Sequence, residues 1–172
     1  SSSSPRWRSF MLAHPATLEE LSKLDPNDFV AEWKWDGIRV QVVADSNTTT
    51  LYSRTGEDIT GSFPELKMPA GFVGVIDGEL LARRSDMERL APGTFNDLQQ
   101  RLNRKAPPQK LIEGSPVFVR AYDLLQTGEH DMRSQTTMER RQALVDVLSA
   151  VRPDFMDASE HVEFGDFEAL DR

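Results

Sequence analysis

A lysine stands between two tryptophans in the stretch AEWKWDGIRVQ, Ala31 to Gln41, and an Asp-Gly pair follows it directly. Lysine is depleted from strand interiors, which favour β-branched and aromatic residues. On a strand, Glu32 and Lys34 share one face, while Ala31, Trp33 and Trp35 take the other. The tryptophans can anchor that strand in the core and leave Glu32 and Lys34 in a cleft. The strand after the turn then brings Arg39 back beside them. A lysine amine, with an ordinary pKa of about 10.4, is a poor nucleophile at neutral pH. Partial burial and a neighbouring guanidinium both disfavour its charged form and free it for attack. Two readings stay open on this stretch. One is a nucleophilic lysine beside an arginine that grips phosphate bidentately. The other is a hairpin whose polar face lies in water.

Three further segments carry residue types that do chemistry. SRTGED, Ser53 to Asp58, puts Arg54 at a strand end with Gly56 just past it, where a backbone can approach a ligand closely; a plain turn explains it equally. GVIDGELLA, Gly74 to Ala82, places Glu79 in an otherwise apolar strand. A carboxylate there needs a cation, a metal or a sugar hydroxyl, and a salt bridge within the sheet would suffice. In VFVRAYDLL, Val117 to Leu125, Tyr122 is either core or a stacking face for a base.

These residues need a scaffold, and the sequence predicts one of mixed type. A short helical turn is expected over Leu18 to Leu24. Strands are expected over Phe29 to Trp35 and Ile38 to Ala44, joined as a hairpin by Asp36-Gly37. Further strands are expected over Thr48 to Ser53, over Val73 to Ala82 with an interruption at its own Asp-Gly, and over Pro116 to Leu125. Helices are expected over Phe95 to Leu102, capped by Thr94, and from the capping box Thr136/Glu139 to Ser149. A last helix is expected to begin at Asp166. Strands and helices mingle without strict alternation, which predicts an α+β fold with largely antiparallel sheet.

Composition sets the limits. At 172 residues the chain is long enough for one domain with a real core. With no cysteine, disulfides, thiolate metal sites and a cysteine nucleophile are excluded. No apolar run approaches the roughly 18 residues of a membrane span and no signal-peptide pattern appears, so a cytoplasmic protein is expected. The net charge is −8, but residues 153–172 hold seven acids against one arginine, a net of −6, which leaves −2 for the remainder. Basic patches at Arg83-Arg84 and Arg101 to Lys105 suit either scattered surface charge or a nucleic-acid partner.

Taken together and in this order, WKWDGIR, SRTGEDIT, VIDGELLA, FNDLQQRLNRK and VRAYDLL resemble the adenylation domain of ATP-dependent DNA ligases, the bacterial ones above all. WKWDGIR matches the KxDGxR signature of the covalent nucleotidyltransferases. The resemblance implies that the fold has largely antiparallel sheets with flanking helices, and that Lys34 attacks the α-phosphate of ATP to form lysyl-AMP. AMP would then pass to the 5′-phosphate of a nick and be displaced as the strand is sealed. It implies that Glu32 recognises the adenine amino group, that Arg39 and Arg54 contact ribose and phosphates, and that Glu79 meets the ribose and the metal. Tyr122 would stack on adenine where the family more often has Phe, and Asp36-Gly37 would shape the turn that presents Lys34. Implied cofactors are ATP and Mg²⁺, and the implied partner of the full-length protein is nicked duplex DNA, bound by a monomer. Residues 1–6 read as a linker remnant and 7–172 as a partial adenylation domain. The family's later glutamate and lysine segments and its OB-fold domain lie outside this sequence, so the chain is expected to be a ligase cut inside its catalytic domain, inactive in nick sealing by itself. RNA ligases and mRNA-capping guanylyltransferases share the lysine motif, and a catalytically silent nucleotide-binding fragment is the alternative of another class.

Overall fold

The computed structural model describes residues 4–9, 16–24, 31–32 and 35–162. Two compact units are formed, one by residues 1–9 with 35–158 and the other by residues 10–34 with 159–172. The second holds helix α1 (Leu18–Leu21), opened by Thr17, whose hydroxyl accepts from the Glu20 amide at 3.2 Å, and a two-stranded sheet of β1 (Ala31–Glu32) and β8 (His161–Val162). The expected helix at Asp166 lies outside the described residues.

The first unit is built on a six-stranded sheet. Its strands are β2 (Ile38–Ser46), β3 (Thr48–Ser53), β4 (Phe72–Ala82), β5 (Val117–Thr127), β6 (His130–Asp131) and β7 (Met156–Ala158). The order β3-β2-β4-β5-β6 is antiparallel throughout, and β7 runs parallel to β5. The long strands arise from β-branched runs such as VQVVA and VFVRAY, whose side chains stand on a pleated, half-buried surface.

One face of this sheet is the core. Val40 and Val42 of β2, Ile76 and Leu80 of β4, and Val119, Ala121 and Leu124 of β5 lie buried there. Three helices follow in the chain: α2 (Phe95–Gln99), α3 (Gln109–Gly114) and α4 (Thr137–Val151). Leu98 of α2 and Leu144 of α4 join the core, and Ala143, Val147, Leu148 and Val151 extend the α4 stripe at helical spacing. Both helices open with capping boxes, Thr94 with Asp97 and Thr136 with Glu139, in which side chains answer otherwise unpaired amides.

Three expectations are corrected. Asp36-Gly37 does not close a hairpin between paired neighbours: β1 pairs with β8, while both edges of β2 are taken by β3 and β4. Gly37 instead packs on β4, where a Cβ would come within 2.2 Å of the Leu80 carbonyl oxygen, so only glycine lets the chain pass that close. Strand β4 is not broken at its own Asp-Gly but runs through it, with a shift in its pairing with β5 between Asp77 and Gly78, where Gly78 leaves no room for a side chain beside Val119 and the Arg120 carbonyl. And Arg101 is no part of a basic surface: it is fully buried, donating to the Ser62 and Ser115 carbonyls and paired with Glu65 at 2.7 Å.

Candidate nucleotide-binding face

The face of the sheet opposite the core is polar at one end, and period-two alternation puts it there. While Val40 and Val42 point inward, Arg39 and Gln41 point the other way; on β4, Asp77 and Glu79 alternate with the inward Gly78 and Leu80. Register then makes neighbours of residues far apart in sequence. Arg39 lies opposite Glu79, Gln41 opposite Asp77, and Glu79 also lies opposite Arg120 on its other side. The Glu79 carboxylate is thus set in a sheet between two arginine-bearing strands, which answers the question its charge raised in an apolar run.

Tyr122 reaches the same face by the same alternation, two residues after Arg120 with the inward Ala121 between them. Gly78 pairs with Ala121 and Asp77 with Asp123, so Tyr122 is an extra residue on β5 without a partner across the ladder. The bulge sets Asp123 opposite Asp77 and returns Leu124 to the core face. The Tyr122 ring lies under the Arg39 guanidinium, 5.2 Å from its centre. Burial holds the Tyr122 hydroxyl above its ordinary range, against the opposing pull of Arg39. A neutral aromatic ring half-buried beside a fixed cation and a carboxylate can accept a flat heterocycle.

Behind this group lies Asp77, fully buried. The Gln41 amide donates to Oδ1 at 2.8 Å, while Oδ2 has no hydrogen-bond partner. Burial is the main reason its carboxyl is pushed up to about 7, with Gln41 and Arg39 pulling it down and Asp123 pushing it further up. Gln41 is held in turn by the backbone of Arg8: the Arg8 amide donates to its side-chain oxygen, and its side-chain nitrogen donates to the Arg8 carbonyl at 2.9 Å. Trp7 next to it lies on Gly56, whose φ of +86° and missing side chain leave room for the indole. A chain segment before the lysine motif therefore braces both the Gln41–Asp77 pair and the Ser53–Gly56 turn.

Arg54 sits in that turn, exposed, just beyond β3, where the Gly56 amide donates to the Ser53 carbonyl at 2.9 Å. Arg39, Glu79 and Tyr122 are therefore brought together, while Arg54 stands at the rim on the neighbouring strand end. Lys34 lies outside the described residues, as does Trp33, and of Glu32 only the strand backbone is described. Among the described residues no three His, Cys, Asp or Glu side chains are placed to hold a metal ion. Glu79, the expected metal-associated carboxylate, lies between the arginine-bearing strands β2 and β5, and the described residues alone do not make a metal cage. No helix among them is long and apolar enough to cross a membrane. Sequence reasoning passed over Gln41, Asp77, Trp7 and Arg120. The parity that links Arg39 to Gln41, Glu79 to Asp77 and Tyr122 to Arg120 was a usable signal for three of them; Trp7 had none.

The family model described as the ATP dependent DNA ligase domain matches residues 10–172. A probable DNA ligase of Anaeromyxobacter sp. (strain Fw109-5) is 35% identical over 139 residues, covering 78% of this chain and 26% of that protein. DNA ligase 2 of Methanosarcina mazei is 30% identical over 148 residues, covering 82% of this chain and 26% of that protein. Among solved structures, a mycobacterial DNA ligase D complexed with ATP and MES superposes with a TM-score of 0.65 at 26% identity, covering 85% of this chain and 44% of that one. The ligase domain from M. tuberculosis LigD gives a TM-score of 0.60 at 27% identity, over 80% of this chain and 41% of that one. The chain spans about a quarter of the length of the curated relatives it matches.

Proposed function

The chain belongs to the ATP-dependent DNA ligase domain family, and from that membership we propose that it supplies the self-adenylating part of a nick-sealing enzyme. The Lys34 amine, once deprotonated, attacks the α-phosphorus of ATP. A nitrogen–phosphorus bond forms, the bond to the bridging oxygen of pyrophosphate breaks, and pyrophosphate leaves. The AMP then passes to the 5′-phosphate at a nick, and the 3′-hydroxyl displaces it as the strand closes. Tyr122 lies against the adenine, Glu32 accepts from the adenine amino group, Glu79 takes the ribose hydroxyls, and Arg39 and Arg54 hold ribose and phosphate oxygens. Mg²⁺ bound with the triphosphate would neutralise part of its charge, and Glu79 is the carboxylate that would meet it. The setting is cytoplasmic, the enzyme a monomer, and the DNA partner is gripped by parts of the longer protein that this chain does not span.

The observation that supports this reading best is the meeting of Arg39, Glu79 and the bulge residue Tyr122 on one sheet face. A cation, an acceptor and a ring within one patch match the three chemical parts of a nucleotide. Mass spectrometry after incubation of the full-length protein with ATP and Mg²⁺ tests it. A single AMP is expected on the peptide containing Lys34, and Lys34→Arg should abolish it, because a guanidinium stays charged and cannot attack. An adduct on Lys23 or Lys67, or labelling by GTP and not by ATP, would contradict the reading.

A further inference from the structure

Arg120 is heavily engaged near this face, and no role in nucleotide chemistry accounts for its contacts. It points from β5 on the same side as Tyr122, yet its guanidinium is committed elsewhere. Nε and Nη2 grip both carboxylate oxygens of Asp157 on β7, at 3.0 and 2.9 Å, and Nη2 also donates to the Leu90 carbonyl at 3.2 Å. Its flat surface covers two rings, Trp35 at 4.5 Å and Phe118 at 5.1 Å from the ring centres. The Trp35 indole nitrogen is buried without a hydrogen-bond partner, so that ring is oriented by stacking and not by a polar handle. Trp35 is peptide-bonded to Lys34.

We propose that Arg120 is a positioning residue for lysine adenylylation: its Asp157-anchored guanidinium fixes the Trp35 ring and so sets the backbone on the C-terminal side of Lys34. The parts suit the task. A bidentate carboxylate fork removes rotation about the guanidinium plane, which then becomes a rigid platform for an indole. Arg–aromatic stacking in a partly dry setting contributes more than an exposed contact does. On the other side of Trp35, Gly37 is pressed onto β4 without space for a Cβ. The segment leaving the lysine is therefore pinned at two successive points, a ring at Trp35 and a close backbone contact at Gly37.

The inference rests on Lys34 being the nucleophile, and the experiment separates the two claims. Single-turnover formation of the lysine–AMP adduct is followed in the full-length protein at varied ATP and from about pH 6 to 9. Arg120→Lys keeps the charge and lacks the planar fork; Trp35→Leu keeps apolar bulk and lacks the aromatic face. For both, the rate constant per labelled molecule should fall about 10- to 100-fold, the scale of a small misplacement of a reacting group. The apparent ATP affinity should move less than about threefold, the pH profile of the rate should shift, and Trp35→Phe should recover most of what Trp35→Leu loses. A merely structural Arg120 would lower the melting temperature and the labelled fraction while leaving the rate constant and its pH profile in place. That result overturns the inference, as does a loss confined to ATP affinity. Should Arg120→Lys fail to fold, the Trp35 pair decides, and equal rates for Phe and Leu overturn it. No adduct on Lys34 in the unaltered protein overturns the nucleophile assignment itself.

Discussion

Asp77 shows how much a single residue's surroundings can change its chemistry. Two residues before Glu79 on the same strand face, it is buried with one oxygen unpartnered and its carboxyl pushed up to about 7 by burial. In the unfolded chain an aspartate ionises at about 3.9. Between those values the folded protein holds a proton that the unfolded chain has released, so stability should be highest below about pH 4 on this group's account and fall as pH rises towards 7. The effect is on the order of a few kcal/mol. Asp77→Asn mimics the protonated form and still accepts from Gln41. Thermal melts of the nucleotide-free protein at pH 5 and pH 8 should differ less in the variant, with the gain in the variant at pH 8. A variant that loses stability equally at both values would show that Asp77 is ionised in the fold.

At the scale of elements, the segment FNDLQQRLNRK is held by its arginine more than by its helix. Helix α2 is only five residues long, too short to persist alone, and its capping box answers the first turn only. Arg101, just past it, ties this segment to the 3₁₀ turn at Thr60–Ser62 and to the end of α3 through Ser62, Glu65 and Ser115, while its guanidinium lies 5.1 Å from the Phe63 ring centre. Arg101→Leu should cost on the order of 3 kcal/mol, because two buried carbonyls lose their donor and a carboxylate loses its partner. Urea unfolding would measure it, and a change under about 1 kcal/mol would mean that water replaces those donors. The other expected patch is muted as well: Arg84 is paired with Asp86 at 2.7 Å, and Arg83 donates to the Glu88 carbonyl. A basic run in sequence is therefore not yet a DNA-binding surface.

For the whole molecule the decisive fact is extent. The chain spans about a quarter of its curated relatives, yet the family model covers nearly all of it. Grip on duplex DNA comes mostly from phosphate contacts by cationic side chains, and a chain of net charge −8 offers few in surplus. Incubated with a nicked duplex, ATP and Mg²⁺, the 172-residue chain should leave the nick open, whereas the full-length protein should close it. Gel analysis of labelled strands reads this directly. Sealed product from the 172-residue chain at an ordinary enzyme rate would show that it carries its own DNA grip.

What could be read from the sequence was local. The β-branched runs at Ile38–Ser46 and Val117–Thr127, the Thr94 and Thr136 caps, and the sharing of a face by residues two apart all follow from short-range sterics and hydrogen bonding. The motif residues were legible in the same way, as types at fixed spacing. Tertiary structure decided everything that depends on which strand meets which, and in what register. The Asp-Gly after Trp35 looks like a hairpin turn, but competition for the edges of β2 was won by β3 and β4. Glu79 faces Arg39 because of a register set across some forty residues of chain, and Tyr122 joins them because β5 pairs along the other edge of β4, with a bulge that no local propensity announces. Arg101 reads as surface charge and is core, since three carbonyl and carboxylate acceptors from distant segments converge on it. Arg120 reads as an ordinary polar position on a strand, and only the packing of Trp35, Phe118 and Asp157 around it makes it a clamp. Sequence periodicity fixes the face on which a side chain stands; its partners there are chosen by long-range pairing, whose free energy is spread over the whole sheet.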